Sequence, residues 1–170
     1  TTNGVWQDSK NASVSLSHAI EDEGGETVLF MTWGYRDGDS LNSFNNNFTT
    51  MQERLLEGYT RYAENISAAG NAVWMAPVGL AYKTVHDNVL SGGVDPTTSG
   101  NLFYDLYSSD GSHPSLSGSY LAACVFHSTT TGEHCVGSTD SVNLNAATKL
   151  ALQQAADDTV FNQTSGMSYY

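Results

Sequence analysis

The chain has 170 residues, with eighteen acidic against six basic side chains and a formal net charge of −12 at pH 7. That length suffices for one domain with a real core and is short for two. The lack of any Lys/Arg cluster argues against nucleic-acid or anionic-membrane partners, and no apolar run reaches the roughly 20 residues of a membrane span. No signal peptide is visible, so Thr1 is read as a processed or truncated start.

Residues 1–25 are polar and rich in Gly, Ser and Asn, with an acidic patch at Glu21-Asp22-Glu23. They read as a surface segment with a short helix over Val14–Ile20. Val28–Trp33 is a continuous β-branched and aromatic run, the pattern of a buried strand in a parallel sheet. Tyr35–Phe48 reads as a long loop. Thr50 with Glu53 then spells a capping box that opens a helix to about Ala69, with Met51, Leu55, Tyr59, Tyr62 and Ile66 as its buried stripe. Ala72–Val78 is a second strand, ended by Pro77 and Gly79, and Ala81–Val89 a short helix.

A Gly/Ser/Thr/Pro-rich connector, Ser91–Gly100, leads into the aromatic stretch Leu102–Tyr107. The helix Ser115–Thr129 is apolar or small nearly all round and is predicted to be buried. Asn143 or Asn145 caps a last helix to about Val160, with Ala151, Leu152, Ala155 and Thr159 inward. The tail Ser165–Tyr170 reads as loosely held. The order strand, helix, strand, helix, helix predicts an α/β fold with a parallel sheet. Two strands alone cannot make such a sheet with both faces covered.

The chemistry concentrates in Asp110-Gly111-Ser112-His113-Pro114. An Asp and a His three residues apart fit in one turn, where the carboxylate can hold the imidazole Nδ1–H. Nε2 is then free to take a proton from a hydroxyl, which is the base half of a serine-hydrolase triad. Pro114 disfavours helix at His113 and suits the first turn of the helix that follows, which leaves His113 on a loop at its lip.

With Gly118 and Tyr120-Leu121-Ala122-Ala123-Cys124-Val125-Phe126, this block resembles the last catalytic block of the SGNH (GDSL-like) hydrolase superfamily, and more narrowly a branch of secreted SGNH-like proteins. Glu26–Gly34, Met51-Gln52 with Gly58-Tyr59, and Ala76–Ala81 extend the likeness, which covers about Glu26 to Val160. The resemblance implies the second half of a flavodoxin-like three-layer α/β/α domain spanning 26–161, between an N-terminal segment 1–25 and a tail 162–170. An upstream segment or a companion chain would complete its parallel sheet. It also implies Asp110 as orienter and His113 as general base, with the nucleophilic Ser and the oxyanion donors supplied from outside this segment. No metal or organic cofactor is implied.

Gly38-Asp39-Ser40-Leu41 spells the superfamily's nucleophile tetrapeptide, which makes Ser40 an alternative nucleophile. Four residues separate it from the preceding apolar run where the family's turn is immediate, and no donor block follows. Cys124, His127, His134 and Cys135 offer soft ligands, but the first falls within an apolar helix rather than on a zinc-type loop, so no metal is expected. Thr1 as an amino-terminal nucleophile lacks a visible partner base. Tyrosines 59, 62, 82, 104 and 107 read as core and pocket lining.

Four N-x-S/T sequons, at Asn11, Asn47, Asn65 and Asn162, predict a secreted or cell-surface glycoprotein. Cys124 and Cys135 can close a small loop, and a disulfide and a buried free thiol stand as alternatives. The sequence thus predicts part of a secreted esterase acting on an ester or O-acylated glycan. The competing reading is a structural or binding glycoprotein that keeps the fold without the activity.

Overall fold

The computed structural model describes residues 4–162. Thr1 and the tail Ser165–Tyr170 lie outside the described residues. Two strands, β1 (Thr27–Phe30) and β2 (Val73–Ala76), pair in parallel, in register from Thr27 opposite Val73 to Phe30 opposite Ala76. The helix α2 (Phe48–Ala68) links them, as the strand–helix–strand pattern predicts. Both strands are shorter than the apolar runs that announced them. Beyond β1 the pairing fades through Met31, whose N–H donates to Ala76 O at 3.0 Å and whose carbonyl accepts from Gly79 N at 3.0 Å. Gly79 has no room for a side chain, since a Cβ would lie 2.2 Å from Thr32 O.

Helices pack on both faces of this pair but leave Val28 and Phe30 of β1 partly exposed. Thr27 Oγ1 donates to Ser17 Oγ of α1 (Gly4–Asp22) at 3.0 Å, while the Phe30 ring meets Phe126 of α4 (Leu116–Thr131) edge-on at 4.9 Å. Residues an odd number apart on a strand point to opposite faces, so α1 and α4 flank the sheet on either side. The helices α3 (Val78–Ser91), α4 and α5 (Ala146–Phe161) pack on one another. Their shared core holds the fully buried Val78, Tyr82, Leu121, Leu152 and Val160, together with Met31 and Met75 of the sheet region. Truncating one of the buried leucines to Ala costs about 2–5 kcal/mol.

Other details differ from the sequence reading, among them α3, which begins at Val78, inside the stretch read as strand, rather than at Ala81. The segment 1–25 is mostly α1, a 19-residue helix packed on α2 and β1, rather than a surface stretch with a short helix. Its inward line is Trp6, Ser9, Lys10, Ser13, Val14 and Ser17, a helical spacing built largely from serines and therefore invisible to a hydrophobicity pattern. The α2 cap is Asn47, whose side chain accepts from Thr50 N at 2.8 Å, instead of a Thr50/Glu53 box. The buried line of α2 is Phe48, Gln52, Ala63 and Ile66. Met51 and Leu55 are displaced from it because Gln52 turns inward, where its Oε1 accepts from Gly34 N at 2.8 Å.

Cys124 of α4 and Cys135 of the following loop form a disulfide, with Cα atoms 5.5 Å apart. That resolves the two cysteine alternatives and removes both thiols from any metal set. No helix among the described residues is long and apolar enough to cross a membrane.

Candidate active site

The chain approaches the site through a 3₁₀ turn, Tyr104–Leu106. Tyr107 and Pro114 then form an antiparallel bridge, and Ser108 N donates to His113 O at 2.8 Å, which closes residues 108–113 into a tight loop. Gly111 sits at φ +70°, the left-handed region that a side chain disfavours, and its N–H donates to Ser108 O at 3.0 Å. After Pro114, the Ser115 hydroxyl accepts from Ser117 N at 3.1 Å and Gly118 N at 3.3 Å and so caps α4. Gly118 is required there, because a Cβ would lie 2.2 Å from both Leu106 O and the Tyr82 hydroxyl.

Inside this loop Asp110 is saturated with donors. Its Oδ1 accepts from Ser112 N and His113 N, both at 2.9 Å, and its Oδ2 lies 2.6 Å from His113 Nδ1. The two backbone N–H groups, then the imidazole, hold the Asp110 carboxyl far below the usual carboxylate range. An ionised carboxylate can only accept, so the short contact assigns the proton of a neutral imidazole to Nδ1 and leaves Nε2 as the basic nitrogen. Ser112 Oγ also stands 3.3 Å from Nδ1.

His113 lines a cleft of about 290 Å³ with Thr32, Trp33, Tyr35, Met51, Leu55 and Ser112. Met51 and Leu55, expected in the core, thus form one wall of this cleft. A larger cavity of about 430 Å³ lies toward the amino ends of the strands, lined by Glu26, Val28, Trp74 and Thr129–Gly132. Its sole titratable lining group, Glu26, already accepts from Trp74 Nε1 at 3.1 Å. Of the two, only the smaller cleft is lined by a residue of the Asp110–His113 pair.

The sequence reading did not anticipate that the loop after β1 holds the Asp110–His113 turn. Trp33 Nε1 donates to Ser112 O at 3.0 Å, and Arg36 N donates to Gly111 O at 2.8 Å. The Arg36 guanidinium, with the residue only 8% exposed, pairs with Asp37 at 2.7 Å and lies over the Tyr104 ring at 4.0 Å. Tyr107 and Tyr82 are buried, and burial pushes both hydroxyls well above the ordinary tyrosine range. Tyr107 donates to Gly34 O at 2.7 Å, and the Tyr82 ring stacks on Trp33 at 4.8 Å. Tyr59, Tyr62 and Tyr104 are half-buried.

Ser40 is not brought to His113. It is exposed on a surface turn that Asp39 organises by accepting from Leu41 N at 2.9 Å and Asn42 Nδ2 at 2.5 Å, and it does not line the cleft. The Gly38-Asp39-Ser40-Leu41 match is therefore an Asp-capped turn. Among the described residues no group of three or more His, Cys, Asp or Glu side chains is arranged to hold a metal ion. Of the sequon asparagines, Asn11, Asn47 and Asn162 are exposed, while Asn65 is half-buried and donates to Arg61 O at 2.5 Å.

No protein-family model matches the chain, and no curated protein does either. Among solved structures the chain is similar to a DUF4886 family protein from Bacteroides uniformis, at 17% identity and a TM-score of 0.71. The match covers 92% of this chain and 57% of that protein, so the chain spans little more than half the neighbour's length. At that identity the likeness establishes a shared α/β fold and nothing about activity.

Proposed function

We propose that this chain is the C-terminal part of a secreted SGNH-like serine esterase or acyl hydrolase. The observation that carries this reading is the 2.6 Å contact between Asp110 and His113 Nδ1 at the lip of a cleft. In the proposed reaction His113 Nε2 removes the proton from a Ser hydroxyl as its oxygen attacks the ester carbonyl. The tetrahedral oxyanion is held by donors outside this segment. As it collapses, His113 returns the proton to the leaving alcohol, and water repeats the sequence to free the acid. Asp110 keeps the imidazole in one tautomer and stabilises the imidazolium formed in between. The small cleft, walled by Trp33, Met51 and Leu55, suits a neutral ester or the O-acyl group of a glycan.

The Ser would arrive on strands that continue the sheet as a flavodoxin-like α/β/α layer. Among the described residues β1 pairs only with β2, and Val28 and Phe30 of β1 are 38% and 40% exposed while Met75 and Ala76 of β2 are buried. A two-stranded parallel sheet is marginal by itself, and parallel sheets are ordinarily covered on both faces. An upstream segment or a companion chain at the β1 edge would meet both needs, and the 57% coverage of the structural neighbour leaves room for one. The disulfide and the exposed sequon residues Asn11, Asn47 and Asn162 support an extracellular setting.

The test is labelling of the native protein with a fluorophosphonate probe, followed by sequencing of the labelled peptide. The expected label is a Ser outside residues 4–162, and it disappears in His113→Ala. A native protein that takes no label and hydrolyses no ester, or whose hydrolysis His113→Ala leaves intact, would leave the structural-glycoprotein reading in place.

A further inference from the structure

We infer that Trp33 is the positioning residue of the Asp110–His113 pair: its indole N–H, bonded to Ser112 O, sets the imidazole against the cleft. This rests on the proposed roles of Asp110 and His113 and adds the group that makes their geometry persist. The pair is exposed, with His113 at 79% and Asp110 at 48% side-chain exposure, so packing does not fix it. Every donor to Asp110 comes from its own turn, namely Ser112 N, His113 N and His113 Nδ1. A turn closed only on itself can open those bonds and close them again, and each opening frees the ring from Asp110 Oδ2. Its base is pinned by the Tyr107–Pro114 bridge, which leaves the apex, Gly111 and Ser112, to be located by something else.

Two bonds do so, both from the loop after β1. Arg36 N reaches Gly111 O at 2.8 Å, and Trp33 Nε1 reaches Ser112 O at 3.0 Å. Trp33 is the better anchor because it is itself fixed. Its ring stacks on the buried Tyr82, with planes 7° apart, and it also lines the cleft. A residue seated in the core, in the cleft wall and on the turn fixes the distance between imidazole and bound substrate. Proximity of that kind governs rate, since an ångström of misplacement can cost a hundredfold.

The test reads the imidazole directly, in the whole protein, by long-range proton–nitrogen correlation NMR of His113 at a pH where the ring is neutral. The wild type is expected to show Nδ1–H as the dominant tautomer. Trp33→Phe keeps a ring on Tyr82 and in the cleft wall but removes the donor. It is expected to raise the Nε2–H population roughly two- to tenfold, the range of one net hydrogen bond, with the amide shifts of α4 unchanged. Replacement of Trp33 by its benzothienyl isostere, which keeps the shape without the N–H, carries the same expectation if the Phe variant does not fold. An unchanged tautomer ratio in the donorless variant overturns the inference. Asp110→Asn separates the two readings. If it shifts the ratio and the Trp33 variants do not, only the role of Trp33 falls; if neither shifts it, the orienter role of Asp110 falls as well.

Discussion

Two of the Asp–His pairs in this molecule use the same contact for different ends. At Asp110–His113 the carboxylate is about half exposed, takes two N–H groups of its own turn, and presents the ring to a cleft. At Asp157–His134 the contact is 3.1 Å, but the carboxylate is only 8% exposed. Asp157 also accepts from Ser128 Oγ at 3.0 Å, Cys135 N at 2.8 Å and Val136 N at 3.0 Å, and the His134 ring lies against Phe161 at 4.2 Å. The second carboxylate knits α4, α5 and the disulfide loop together, whereas the first knits only itself. What separates a chemical pair from a structural one is where the remaining lone pairs of the carboxylate go, and whether the donors would find water if it left. Donors buried with Asp157 would not; those around Asp110 would.

Four substitutions or titrations break or sharpen that contrast. The largest effect is on the chemistry of the first pair: His113→Ala should lower ester hydrolysis by the complete protein by about 10⁴-fold or more, with the thermal midpoint barely moved. A large fall in the midpoint would place His113 with the structural pair instead. Next, Asp157→Ala should cost about 3 kcal/mol in denaturant unfolding, because it strands several buried donors, and should leave the His113 tautomer untouched. Loss of the disulfide in Cys124→Ala/Cys135→Ala should cost about 3 kcal/mol for a loop of this separation, measured the same way.

The smallest effect is the pH response of the first pair. The folded value of Asp110 lies below its unfolded value, so its turn bonds add stability above the ordinary carboxylate range and lose it as pH falls through that lowered value. Its carboxyl ¹³C resonance should stay at the ionised position through about pH 4, where ordinary carboxylates take up protons. Titration there with an unshifted midpoint would mean that the turn does not hold in solution.

How much of this was legible in the sequence follows from how local each feature is. The Asp110–His113 pair spans three residues, and the parallel strands follow from apolar runs with a helix between them, so both could be read directly. The anchor from Trp33 to Ser112 crosses 79 residues, and no local pattern signals it. The helix α1 hid because its inward line is largely serine, and the cleft wall hid because the polar Gln52 took the buried place that Met51 and Leu55 were expected to fill. In each case a polar side chain with a specific hydrogen-bond partner overrode a hydrophobic period. Ser40 stood only as an alternative nucleophile, and it lies on an exposed turn away from the cleft, because a tetrapeptide carries no information about which turn it occupies.

The disulfide also decides how the molecule responds to a protease. Cys124 and Cys135 enclose the end of α4 and the exposed residues 132–134, so a cut there leaves both fragments covalently joined. A cut a few residues later, at the exposed Ser141 or Asn143, lies outside the ring and frees α5 from everything before it once the chain is denatured. Between those two places stands Asp140, whose carboxyl Lys149 and the Tyr120 hydroxyl hold down at about 2. That clamp steadies the unringed part of the loop at any pH well above that value. A nicked form run without reductant would therefore travel as one band or two according to whether the cut fell before or after Cys135.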